Sequence, residues 1–150
     1  MVTIVVETSI LAPIERCFNM ARDIPLHCAT TSWTKERAVA GCTSGMIGWG
    51  DWVTFEGVHF GFKLRLTAQI TEFESPHRFV DEMVRGTFKS LRHVHEFRED
   101  SGVTIMTDTL IWTSPLGALG RLADRLFLRH HMRSFLVRRN AALKAAIENV

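Results

Sequence analysis

The 150 residues are 46% hydrophobic and 23% charged, with 18 Lys and Arg against 16 Asp and Glu. That balance excludes wholesale disorder, and a net charge of +2 is too small to imply nucleic acid as a partner. The length suits one domain over residues 1–150, burying roughly 69% of the unfolded chain's surface by size scaling, enough for a core without staples. Three cysteines, Cys17, Cys28 and Cys42, form no CxxC pair. An odd, sparse set excludes a disulfide scaffold or a zinc ribbon and fits a reducing compartment. The first residues carry no basic n-region, and no apolar run approaches the roughly 18 residues of a membrane span. A cytoplasmic location is the expectation.

Residues 3–11 are β-branched and apolar and predict a strand, stopped at Ala12-Pro13. Ile14, Cys17, Phe18 and Ala21 then keep a helical spacing over residues 13–21, and Pro25 keeps this helical stretch short. A short strand is expected over residues 33–39, followed by a glycine-rich loop over 41–50. Residues 51–58, 59–73, 78–85, 89–98 and 103–112 all read as strands. Turn residues separate them, among them Gly57, Ser75-Pro76, Gly86 and Asp100-Ser101-Gly102. Short connections imply antiparallel hairpins rather than parallel crossover units. From residue 118 to 150 Leu, Ala and Arg dominate and only Gly120 interrupts, which predicts one long helix of about 45 Å. His130-His131 is the place where its regularity is expected to break.

Helices segregated to one face of an antiparallel sheet make an α+β chain. Three stretches carry a resemblance over essentially the whole length. They are Ile10-Leu11-Ala12-Pro13-Ile14-Glu15, Ile70-Thr71-Glu72-Phe73-Glu74-Ser75-Pro76 through Phe79, and Pro115-Leu116-Gly117 at the entry to the last helix. With these the chain resembles the SRPBCC superfamily of START lipid-binding domains, the birch-pollen allergen and polyketide cyclases. The resemblance implies a helix-grip fold: a curved sheet of about six or seven strands around the C-terminal helix, with two short helices after strand 1. It also implies an apolar cavity for a hydrophobic small molecule; a minority of members catalyse cyclisation or dehydration there. Fold does not choose between these.

Leu91-Arg92-His93-Val94-His95-Glu96-Phe97 holds the sharpest chemistry. Alternation places Leu91, His93, His95 and Phe97 on one face, the inner one by its apolar members. A four-residue loop over 99–102 would pair Arg98 with Val103. His93 then falls opposite Asp108, His95 opposite Met106 and Phe97 opposite Thr104. In one reading His93, His95 and Asp108 form a polar patch on a cavity wall, with Asp108 favouring the charged form of His93 for hydrogen bonding or proton transfer. In the other they satisfy one another inside the core.

Asp81 shares its alternation with Phe79 and Met83 and faces inward, unless Val80 and Val84 do so instead. The expected pocket residues are therefore His93, His95, Asp108, Leu91, Phe97, Met106, Trp112, Phe55, Phe79 and Asp81. His-x-His can also present two imidazoles to an ion, with Asp108 or His59 completing the set. Nothing else has ligand spacing, so neither metal nor cofactor is expected.

Binding rather than catalysis is the leading expectation. Tyrosine is absent, and no P-loop, dinucleotide fingerprint, HExxH or GxSxG occurs. A cyclase or dehydratase using His93 or His95 with Asp108 is the alternative. The last helix is basic, and Arg121, Arg125, Arg129 and Arg133 recur every four residues as a ribbon. The ribbon either meets an anionic partner such as a membrane surface or pairs with acids on the sheet.

Overall fold

A computed structural model describes all 150 residues. Strand β1 (Val2–Ile10) turns Val2, Ile4, Val6 and Ile10 inward, the alternation of a sheet with one packed face. Helix α1 (Ile14–Ala21) follows Pro13 and buries Ile14, Cys17 and Phe18. Helix α2 (Ile24–Thr30) starts at Asp23, whose carboxylate accepts from the Leu26 amide at 2.8 Å. Pro25 sits in its first turn, where a missing N–H leaves no helical bond unmade.

The strand expected over residues 33–39 is displaced. Ser32–Thr34 form a 3-10 turn, and β2 (Arg37–Gly41) begins after Lys35, which is left-handed. Trp33 leaves the sheet to pack on Phe135, with ring centroids 5.3 Å apart, beneath the Arg138 guanidinium. That contact overrides the strand propensity of tryptophan. Strands β3 (Trp52–His59), β4 (Phe62–Glu74), β5 (Arg78–Arg85), β6 (Ser90–Asp100) and β7 (Val103–Thr113) follow as antiparallel hairpins. The seven strands lie in the order β1-β7-β6-β5-β4-β3-β2, so the last strand sits between the first and the sixth.

The β6–β7 turn is shorter than expected. Asp100 pairs with Val103, and Ser101 and Gly102 alone make the loop, both at positive φ. Such two-residue turns match the twist of antiparallel strands better than a four-residue loop does. His95, not His93, is therefore opposite Asp108, while His93 faces Leu110 and Phe97 faces Met106. The displacement is by two residues, an even number, so every side chain keeps its face.

The C-terminal helix covers the concave side as α3 (Ala118–Ala123), a single π-helical turn (Asp124–Leu128) and α4 (Arg129–Glu148). The break in regularity thus precedes His130-His131. Asp124 causes it locally: its Oδ1 accepts from the buried Trp112 indole at 2.9 Å and from Ser114 Oγ at 2.6 Å. Gly120 is required here, because a Cβ would stand 2.0 Å from the Pro115 carbonyl oxygen.

Two groups of core residues result. Phe18, Ile10, Phe79, Phe97, Met106 and Leu143 pack with α1, while Val2, Ile4, Leu110, Trp112 and Leu136 pack toward the other end of the sheet.

Candidate ligand cavity and its polar cluster

Residues from both core groups, including Ile70, Phe79, Leu91, Leu110 and Leu136, line a cavity of about 150 Å³ between the sheet and α4. Phe55, Leu66, Leu91, Met132 and Phe135 also border a second chamber of about 420 Å³. That chamber runs toward the β3–β4 turn and the π-helical turn, where Phe60 and Phe127 are about half exposed. The walls are mainly apolar. One patch is not.

That patch is built by β5, β6, β7 and α4. Asp108 on β7 is fully buried, and its Oδ1 accepts from His93 Nε2 at 2.7 Å and from Arg139 Nη2 at 3.1 Å. His95 Nδ1 lies 3.3 Å from the same oxygen. Asn140 Nδ2 donates to Asp108 Oδ2 at 2.7 Å, and Arg139 in turn donates to Asn140 Oδ1. On the cavity side His95 Nε2 meets Asp81 Oδ2 at 2.7 Å. The two imidazoles stack with centroids 3.8 Å apart, and Phe79 stacks on the far face of His95 at 4.1 Å.

The charges follow from these contacts. Burial alone would raise the Asp108 carboxyl, but Arg139 and the two imidazoles outweigh it and hold Asp108 well below the usual carboxylate range. Burial would likewise lower His95, yet carboxylates at both ring nitrogens prevail and raise it. Asp81 is pushed up by burial and pulled further down by its hydrogen bond to His95. His93 goes the other way: burial and the neighbouring His95 lower it, and Asp108 only partly compensates. Burial and His95 thus outweigh the expected pull of Asp108 toward a charged His93. The charged form is favoured instead at His95, which two carboxylates flank while only one touches His93.

A neutral His93 that donates from Nε2 has an unshared pair on Nδ1. That atom has no hydrogen-bond partner in the chain, and the His93 side chain, 13% exposed, lines the cavity.

The expected pocket residues divide into two sets. Leu91, His93, His95, Phe55, Phe79 and Asp81 border the cavity. Asp108 stands behind the imidazoles, away from the wall. Phe97, Met106 and Trp112 do not line it either: each is at most 4% exposed and packed into the core groups on either side. Asp81 faces inward, and Val84 is exposed.

His59 does not join His93 and His95. It lies in the second chamber, 3.2 Å from His131, and burial holds both rings below the ordinary imidazole value. Sequence reasoning missed Arg139 and Asn140, which lie on the same helical stripe as Leu136, Leu143 and Ile147. It also missed the His27–Glu36 pair, 3.2 Å apart, which lines the same cavity.

Arg121, Arg125, Arg129 and Arg133 are exposed and form no ion pair. Two acids of the sheet are taken by the sheet itself: Glu56 pairs with Arg37 and Arg65, and Glu72 with Arg78 and Arg92. Leu119, Leu122 and Leu126 are exposed beside the ribbon. No helix is long and apolar enough to cross a membrane.

Comparison with solved structures places this architecture. The protein TTHA0849 from Thermus thermophilus superposes with a TM-score of 0.75 at 20% identity, covering 97% of this chain and 99% of its own. Ara h 8.0201 gives 0.74 at 11% identity, covering 99% of both chains. The major latex-like protein 151 of Panax ginseng gives 0.72 at 12%, covering 97% of this chain and 96% of its own. No protein-family model matches the chain, and no curated protein sequence does. The chain shares the fold of these proteins, a curved antiparallel sheet gripping a long C-terminal helix.

Proposed function

We propose that this protein binds an amphipathic small molecule, its apolar body between the sheet and α4 and its polar head at His93, His95 and Asp81. The observation that carries this reading is a hydrogen-bonded cluster of charged and polar side chains set into a mainly apolar cavity wall. Such a pairing of greasy walls with a few fixed polar groups is what orients a ligand in a pocket. A ligand burying about 200 Å² of apolar surface gains about 5 kcal/mol from that burial.

Thermal unfolding of the purified chain against fatty acids, aromatic polyketide-type acids and anionic vesicles tests it. An amphiphile at a hundred times its Kd should raise Tm by about 5–10 °C. No shift with any soluble amphiphile would reject the reading. Vesicle binding that disappears at high salt would instead assign the protein to an anionic membrane surface. The unpaired arginine ribbon and its flanking leucines favour that third reading.

A second reading is proton transfer on the bound molecule, as in a cyclase or dehydratase. The unpaired Nδ1 of His93 favours it, since Asp108 fixes the ring through Nε2 at the cavity wall and burial favours the neutral base. His93→Gln should then abolish product formation while the apolar body of the ligand still binds, with lower affinity. Equal turnover in the variant and the parent would remove this reading.

A further inference from the structure

We propose that His93, His95 and Asp81 form a binding site for a divalent transition-metal ion of the Zn2+ or Fe2+ class, open to the cavity. Asp108 would act as the outer carboxylate orienting both imidazoles. One ligand atom from each of the three residues lies within 4.8 Å of the other two. Proximity is only the first observation.

The second is the way Asp108 is used. A histidine that ligates a metal through one ring nitrogen commonly donates from the other to a carboxylate, which fixes ring and tautomer. Here a single buried carboxylate accepts from His93 Nε2 at 2.7 Å and stands 3.3 Å from His95 Nδ1, and Arg139 and Asn140 hydrogen-bond to it in turn. The nitrogens left over are Nδ1 of His93, with no partner in the chain, and Nε2 of His95, bonded to Asp81. The rings stack with centroids 3.8 Å apart, so ligation of one ion by both requires them to tilt until their in-plane lone pairs converge.

Asp81 supplies the third ligand from the adjacent strand β5, and its side chain is a quarter exposed, so it has room to swing. The proton now shared between His95 Nε2 and Asp81 occupies the place an ion would take, and binding would release it. Two histidines and one carboxylate leave coordination positions free, as in open rather than structural metal sites. With both imidazoles neutral, a divalent ion, Arg139, Asp81 and Asp108 together leave one positive charge. The group that completes the shell is therefore best an anion, such as hydroxide or a ligand carboxylate. The expectation of no metal arose because the third ligand belongs to another strand, whose inward phase the sequence left open.

The test uses the tag-free chain, stripped with a chelator and titrated with Zn2+ by calorimetry and with Co2+ by visible absorption. One ion per chain is expected, with ligand-field bands of nitrogen and oxygen ligation. Asp81→Asn and His93→Gln should each weaken binding by at least the about 10- to 100-fold that an outer-shell partner is worth. Circular dichroism checks that both variants fold. Absence of binding to the parent chain would overturn the proposal, and so would unchanged affinity in a folded variant of either residue. Amphiphile binding is measured separately on the stripped chain, so failure of the metal site and failure of the ligand reading are distinguishable.

Discussion

Asp108→Ala is expected to cost about 3–5 kcal/mol of stability, the range seen when one partner of a buried ion pair is removed. Domains of this size have about 5–15 kcal/mol in total, so the variant should stand near the edge of folding. The cause is what remains behind. Arg139 is 5% exposed and would lose its only carboxylate, Asn140 would lose its acceptor, and His93 would lose the group that holds Nε2. Urea denaturation reads the effect as a lower midpoint with an unchanged slope. Asp108→Asn, which keeps an acceptor oxygen at the same place, should lose less. A loss below about 1 kcal/mol for the alanine variant, the level of an exposed ion pair, would mean that the cluster is not a closed electrostatic unit.

Phe18→Ala is expected to cost about 3–5 kcal/mol as well, for a different reason: it empties a packed volume. Phe18 is fully buried and meets Phe73, Phe79 and Phe97 edge to face, each at 5.5 Å. The consequence extends to the site, because Phe79 carries His95 on its ring. Loss of Phe18 should therefore loosen His95 as well as lower the melting temperature. Imidazole resonances followed by NMR would broaden or shift in the variant. Parent-like stability would contradict the packing described above.

Much of the architecture was legible because it rests on local rules. Alternation named the inner face of β6, and that face survived even though the hairpin register was displaced, since a displacement of two residues cannot turn a strand over. The change from β-rich to Leu/Ala/Arg composition wrote the last helix, whereas Pro25, read as a stop, opens α2 behind the Asp23 cap. Trp33 broke the pattern because a partner far along the chain, Phe135, gave its ring a better contact than the sheet.

The polar cluster was half legible. His93 and His95 could be placed on one face from their spacing alone. Arg139 carried a usable signal that was read as part of a basic helix: with Leu136, Leu143 and Ile147 it falls on the buried stripe.

The sequence by itself determined the order of elements, the antiparallel sheet, and the presence of two imidazoles on its inner surface, because each depends on periodicities of two or about 3.6 residues. Only the tertiary structure decided which carboxylates meet those imidazoles and which ring they favour in its charged form. That choice depends on distances of 2.7–3.3 Å between separate elements, and on His95 having a carboxylate at each of its two ring nitrogens. No pattern along one strand encodes such distances. They arise when α4 lays Arg139 and Asn140 against Asp108 and the neighbouring strand brings Asp81 to the cavity wall.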